Sequence, residues 1–265
     1  MVLMLKLTLA PLLVALATFV ARRWGPKIGG VVVGLPLSTG PIFLFLAIDQ
    51  GLDFAERATV GILFGLVGLA GFALVYAITS RCAGWLVSLT LAAIAYFAVS
   101  AGVSGFRGSG VIEAGVAAYA ALLLAAWLIR RPHLEPIKLP SPWWDLWFRM
   151  IVAASLTLAI TTTAERLGPT FSGIIGTYPV VTTVVMTFTH HQFGREAAIA
   201  MLRGSVLSWT AFVSCFFVIG LTLNLHGLEA SLALGALAAL GTTIFVLWVD
   251  RVRSWPRMPV PSHPS

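Results

Sequence analysis

The sequence predicts an all-α, polytopic transmembrane bundle of about nine spans, built from two inverted-topology repeats with broken helices. Three observations carry the prediction. The 265 residues are 58% hydrophobic and only 10% charged, with a mean hydropathy of +0.95, which is the composition of an integral membrane protein. Apolar runs of about 20 residues, each enough to cross a hydrocarbon layer of ~30 Å, recur along the chain without the alternation of a β-barrel. Backbone groups must then close their hydrogen bonds within helices. Finally, the chain matches itself at an offset of 143 over 21–61, where 11 of 41 ungapped pairs are identical. Six of those pairs are glycine or proline: Gly25/Gly168, Pro26/Pro169, Gly30/Gly173, Pro36/Pro179, Gly51/Gly194 and Gly61/Gly204. Shared greasiness would match Leu, Val and Ala; matched helix breakers inside apolar segments report shared backbone geometry.

The spans fall at 2–21, 28–48, 54–79, 83–101, 110–129, 147–164, 171–190, 197–223 and 228–249. With the N-terminus outside, twelve Lys and Arg fall on the inner side against four outside, and Arg203 lies within a span. That bias predicts an outer N-terminus and a cytoplasmic C-terminus. It also explains the net charge of +7 without nucleic acid. The first span lacks a basic segment ahead of it, so it reads as a span and not a cleavable signal. Five spans precede the second copy, so span six enters in the direction opposite to span one and the repeat is inverted. The first repeat covers 1–130 and the second 147–250, one span shorter. Between them, 131–146 is a cytoplasmic linker rich in proline (Pro132, Pro136, Pro140, Pro142), followed by Trp147 at the interface. The tail, 251–265, is basic, proline-rich and expected to be disordered.

Functional residues are sought at the matched breaks. Span two carries Gly34, Pro36, Ser38, Thr39, Gly40 and Pro41 near its middle; span seven carries Gly176, Thr177, Tyr178, Pro179, Thr182 and Thr183 in the matching place. Two unwound segments at the midplane would offer half-helix N-termini to an anion and open carbonyls to a cation. The plainer alternative is a pair of proline kinks packed against neighbours. Arg203, about 12 Å along its helix from Arg195, is either a binding group for an anionic solute, a partner for Glu196, or a snorkelling side chain. Asp49 and Gln50 end span two outside; His190, His191 and Gln192 end span seven inside. They read as gating or proton-coupling residues, or as polar residues where helices meet water. Asp53, Glu56 and Glu196 are ordinary acidic helix starts, and Glu113 sits near the outer end of span five.

Other chemistries find no support. The chain has no P-loop, no His-Glu-x-x-His, no Gly-x-Ser-x-Gly and no Cys/His cluster, so neither an enzyme, a metal site nor a cofactor is expected. Cys82 and Cys215 both read as buried thiols. His133, His226 and His263 read as solvent-facing, His226 in a loop.

The residues Gly34-Leu35, Pro36, Gly40-Pro41, the run 42–48 with Gly51, and 55–65 with Arg57, Thr59 and the ending Ile62-Leu63-Phe64-Gly65 resemble the core of the GlpM-like family of small bacterial inner-membrane proteins. Those proteins are shorter, so the chain resembles two copies fused head to tail. The resemblance implies a membrane-embedded bacterial protein and names no substrate. Ser38 and Thr39 depart from it, standing where the family is more apolar. The inverted plan is similar, as architecture only, to that of drug/metabolite-type exporters. The expected function is secondary transport of a small anionic or zwitterionic solute across the bacterial inner membrane. The rival is a non-transporting accessory protein of an envelope complex. The expected partners are the lipid bilayer and the solute, with a homodimer left open.

Overall fold

Glycine and proline divide the chain into the helices of the computed structural model, which describes residues 2–35, 39–104, 110–130, 143–167 and 178–253. In order they are α1 (Val2–Trp24), α2 (Pro26–Gly34), α3 (Thr39–Gln50), α4 (Leu52–Thr79), α5 (Trp85–Ser104), α6 (Val111–Leu128), α7 (Trp143–Leu167) and α8 (Val180–Arg253). The described residues contain no strand. Gly25 and Gly51 separate consecutive helices at φ of 95° and 87°. Within α8, Gly194 (φ 82°, ψ 175°) and Gly227 (φ 76°, ψ 179°) leave helical geometry. A side chain at such positive φ is strained, which is why the turns fall on glycine. α8 is therefore three limbs: a first, 180–193, a middle, 195–226, and a last, 228–253.

Five helices among the described residues are long and apolar enough to cross a membrane: 7–24 of α1, all of α4, 85–103 of α5, all of α6 and the apolar length of α8. Large hydrophobic side chains point outward, among them Trp127 at 79% exposure, Ile244 at 68% and Leu237 at 65%. An apolar exterior around a packed core of Phe72, Tyr76, Tyr96, Leu122 and Phe216 suits lipid contact.

Two antiparallel pairings organise the bundle. α4 lies along the middle limb, tied near one end by Asn224 Nδ2 donating to Glu56 (3.0 Å) and at the other by Arg195 Nη1 donating to the Arg81 carbonyl (3.2 Å). The C-terminal turn of α1 meets the first turn of α7, where Arg22 pairs with Asp145 at 2.7 Å. α2 crosses the middle limb at small residues: a Cβ on Gly30 would overlap the Met201 carbonyl, and one on Gly204 the Lys27 carbonyl. Such close backbone approach is the mode by which helices associate without a hydrophobic driving force.

Three expectations need correction. Cys82 is exposed, because it sits in the turn between α4 and α5; Cys215 alone is buried. α7 starts at Trp143, so the last residues assigned to the linker already form helix; Asp145 in the first turn favours a start there. His226 is exposed as expected, but it closes the middle limb instead of lying in a loop, because Gly227 makes the turn alone.

Candidate functional site: two helix breaks and a buried charged cluster

The first break follows Gly34. Leu35 is extended (φ −70°, ψ 148°), as the residue before a proline must tend to be, and its N–H returns to the Val32 carbonyl at 3.4 Å. Helix resumes at Thr39. Pro36 and Ser38 lie outside the described residues, as do Gly176 and Thr177. At the other break Tyr178 and Pro179 precede α8, and the Thr183 N–H closes the first turn onto the Pro179 carbonyl at 2.8 Å. α3 has 12 residues and the first limb 14, so they rise about 18 and 21 Å, short of a ~30 Å hydrocarbon layer.

Different elements hold the two breaks. Gly34 abuts the middle limb beside Ser208, whose buried hydroxyl has no hydrogen-bond partner among the described residues. One turn back, Ser205 Oγ donates to the Gly30 carbonyl at 3.1 Å. Tyr178 is clamped by α4 and α5: parallel to Phe97 at 5.6 Å, edge-on to Tyr96 at 5.4 Å and to Phe72 at 6.3 Å. Thr183 Oγ1 donates to the Tyr178 hydroxyl at 3.2 Å, and Thr182 beside it is buried. Tyr178, Thr182 and Thr183 thus form one polar group in an aromatic wall; Gly34, Ser205 and Ser208 form the other.

The residues at the end of the first limb separate in role. His190 is half-buried and its Nδ1 shares a 2.8 Å hydrogen bond with the Tyr76 hydroxyl. His191 is exposed and stands edge-on to Trp85 at 5.9 Å. Gln192 belongs to a charged cluster. On the opposite end, Gln50 is exposed; Asp49 lies in the last turn of α3, its side chain outside the described set.

The cluster is the feature that sequence reasoning missed. Asp145 is fully buried and Arg149 nearly so. Arg149 Nε donates to Asp145 Oδ2 at 2.8 Å, and Arg22 Nη2 to the same oxygen at 2.7 Å. Gln192 joins both, donating to Asp145 Oδ1 at 2.5 Å and accepting from Arg149 Nη2 at 2.8 Å. Arg149 also lies over the Phe188 ring, 4.8 Å from its centre. α7 supplies Asp145 and Arg149 one turn apart, α1 supplies Arg22 from its last turn, and the first limb supplies Gln192. The i, i+4 acid–base spacing of Asp145 and Arg149 was the available signal.

Arg203 has protein partners. Its Nη1 donates to the carbonyls of Ala126 (3.0 Å) and Ile129, where α6 ends. The guanidinium is a C-terminal cap contributed by another helix, favoured both by the open carbonyls and by the helix dipole. Glu196 instead accepts from its neighbour Arg195 at 3.2 Å. Arg203→Leu is therefore expected to lower stability by about 1–3 kcal/mol, with Arg203→Lys losing less. Melting in detergent checks this; a Leu variant as stable as the parent would remove the cap.

A second unforeseen feature ties three helices together. The Tyr119 hydroxyl meets Ser214 Oγ at 2.5 Å, which meets Thr242 Oγ1 at 2.6 Å, linking α6 to the middle and last limbs. Such hydroxyl contacts hold helices together in lipid. Among the described residues no group of three His, Cys, Asp or Glu side chains could hold a metal. No protein-family model, curated protein or solved structure matches the chain.

Proposed function

We propose that this is a secondary transporter of the bacterial inner membrane, with two inverted repeats that rock about a solute site between the helix breaks. The observation that carries the reading is the register of the helices. An offset of 143 moves α1 (Val2–Trp24) to 145–167 in α7, α3 (Thr39–Gln50) to 182–193 in the first limb, and α4 (Leu52–Thr79) to 195–222 in the middle limb. It moves α5 (Trp85–Ser104) to 228–247 in the last limb. The turn glycines Gly51 and Gly194 are a matched pair with nearly equal dihedrals, and Gly84 pairs with Gly227 at the next junction. α1 pairs antiparallel with its counterpart α7, and α4 with its counterpart the middle limb, which is what inversion requires. The offset carries α6 (Val111–Leu128) outside the described residues. Nine spans then follow, with the Arg22–Asp145 end cytoplasmic by the positive-inside bias.

The solute site is assigned to Gly34, Pro36, Ser38 and Thr39 on one side and Tyr178, Pro179, Thr182 and Thr183 on the other, with Ser208 added. Helix N-termini at Thr39 and Val180 favour a solute carrying a carboxylate or other anionic group. Since Arg203 caps α6, that preference rests on the half-helices. His190, bonded to Tyr76, is the group for proton coupling. The test is uptake into liposomes of a panel of labelled anionic, zwitterionic and cationic solutes. Pro179→Ala is expected to reduce flux roughly tenfold or more, a barrier change of about 1.4 kcal/mol, with little change in melting temperature. A panel in which no solute exceeds protein-free liposomes would overturn the reading.

A further inference from the structure

The buried cluster holds more positive charge than it balances. Asp145 is its carboxylate, and both oxygens are taken: Oδ2 by Arg149 Nε and Arg22 Nη2, Oδ1 by Gln192 Nε2. Two guanidiniums share one negative charge, so one positive charge is left over beside an acid and an arginine that are cut off from water. Such a surplus is costly where the dielectric is low. Arg22 is where it can be met: its side chain is 28% exposed, against 3% for Arg149. Arg23, next along α1, is exposed. The helix ends that Arg22 and Asp145 join are also aromatic on the outside. Phe19 and Trp24 of α1 are exposed and stand edge-on at 6.4 Å; so do Trp144 and Phe148 of α7. Phe19 precedes Arg22 by three positions and Phe148 follows Asp145 by three, so each ring lies about 4.5 Å deeper along its helix than the charged pair. Charge at the rim with aromatic rings at and just below it is the order that a lipid presents from phosphate to acyl chain.

We propose that this end of α1 and α7 is a binding site for an anionic phospholipid. Arg22 and Arg23 hold its phosphate; Phe19, Trp24, Trp144 and Phe148 take its glycerol and upper acyl chains. A phosphodiester carries the one negative charge that the cluster lacks, and its paired oxygens match a guanidinium fork. A zwitterionic lipid brings a cation with its phosphate and cancels less of the surplus. Basic pockets between helices on the cytoplasmic side bind lipid headgroups, and the positive-inside bias puts this end there. A lipid bound here bridges α1 and α7, so it stabilises the folded bundle increasingly as its concentration exceeds its dissociation constant. The inference needs the helices to span a bilayer but does not need transport, so it stands or falls apart from the flux assay.

Melting of the full chain in detergent micelles tests this, with phosphatidylglycerol titrated into the micelles, with phosphatidylcholine in its place, or with inorganic phosphate in the buffer. The melting temperature should rise with phosphatidylglycerol, and phosphatidylcholine or inorganic phosphate should give only a small part of that rise. Arg22→Gln removes a charge-assisted contact to the phosphate; it should raise the phosphatidylglycerol concentration needed for a given rise about tenfold. Each variant is compared with itself without lipid, so a lower starting stability does not enter the result. Arg23→Gln, exposed and outside the cluster, should act in the same direction and covers a failure of the first variant to fold. Arg81→Gln is the control for bulk charge. Arg81 is exposed at the same end, in the turn between α4 and α5, and this variant should respond to lipid as the parent does. Parent-like responses in both Arg22→Gln and Arg23→Gln would overturn the site. So would an equal loss in Arg81→Gln, which would mean that surface charge alone attracts the lipid. An equal rise with phosphatidylcholine would overturn the anionic preference, and an equal rise with inorganic phosphate would replace the lipid by a free anion.

Discussion

Asp145→Leu is expected to destabilise the protein by about 3–5 kcal/mol, because it strands a buried guanidinium. Arg149 is 2% exposed and has Asp145 as its counter-ion on the same helix face; Arg22 is more open and can turn to water. Gln192 would also lose the acceptor for its amide. The loss comes from desolvated charge left unpaired, so it should depend little on ionic strength. Asp145→Leu with Arg149→Leu should recover most of it, since a well-packed apolar pair avoids the cost of burying either charge. Denaturation in mixed micelles for the two single variants and the pair gives the coupling directly. A single variant within about 1 kcal/mol of the parent would mean that the cluster behaves as a hydrated surface pair.

Gly30→Val and Gly204→Val are expected to be the next most damaging changes, each costing about 1–3 kcal/mol or more. A Cβ at position 30 meets the Met201 carbonyl, and one at 204 meets the Lys27 carbonyl and the Val31 nitrogen. The obstacles are helix backbone, which cannot rotate away as a flexible side chain would. The crossing must widen, which also separates Ser205 from the Gly30 carbonyl. Gly241→Ala serves as the control, because among the described residues nothing beyond its own helix backbone lies within 4 Å of a Cβ there. It should be neutral or gain up to about 1 kcal/mol from helix propensity. Folded yield and melting temperature decide it; Gly30→Val and Gly204→Val matching the control would show that α2 and the middle limb do not pack this closely.

The difference between these two predictions shows what could be read in advance. Gly30 and Gly204 were visible in the sequence as members of the repeated pairs Gly30/Gly173 and Gly61/Gly204, because an ungapped self-match is a linear pattern, although their packing against each other's helices was not. Asp145 was passed over as part of a linker. Its importance comes from Arg22, 123 positions earlier, and Gln192, 47 positions later, and no local pattern joins them. Arg203 stood between the two. Its depth inside an apolar span made it conspicuous, yet its partners are backbone carbonyls at Ala126 and Ile129, which carry no side-chain signature. Cys82 misled because it follows a long apolar helix, while its exposure is set by the turn at 80–83.

By itself the sequence determined that the protein is helical and apolar outside, where its helices break, and which positions repeat. Those properties follow from the free energy of moving residues into lipid and from the dihedral limits of proline and glycine, both of which act along the chain. Only the tertiary structure decided which charges are buried together, which helix end Arg203 caps, and which aromatic rings clamp Tyr178. Those are contacts between segments remote in sequence, and their energies depend on the water excluded when the helices meet.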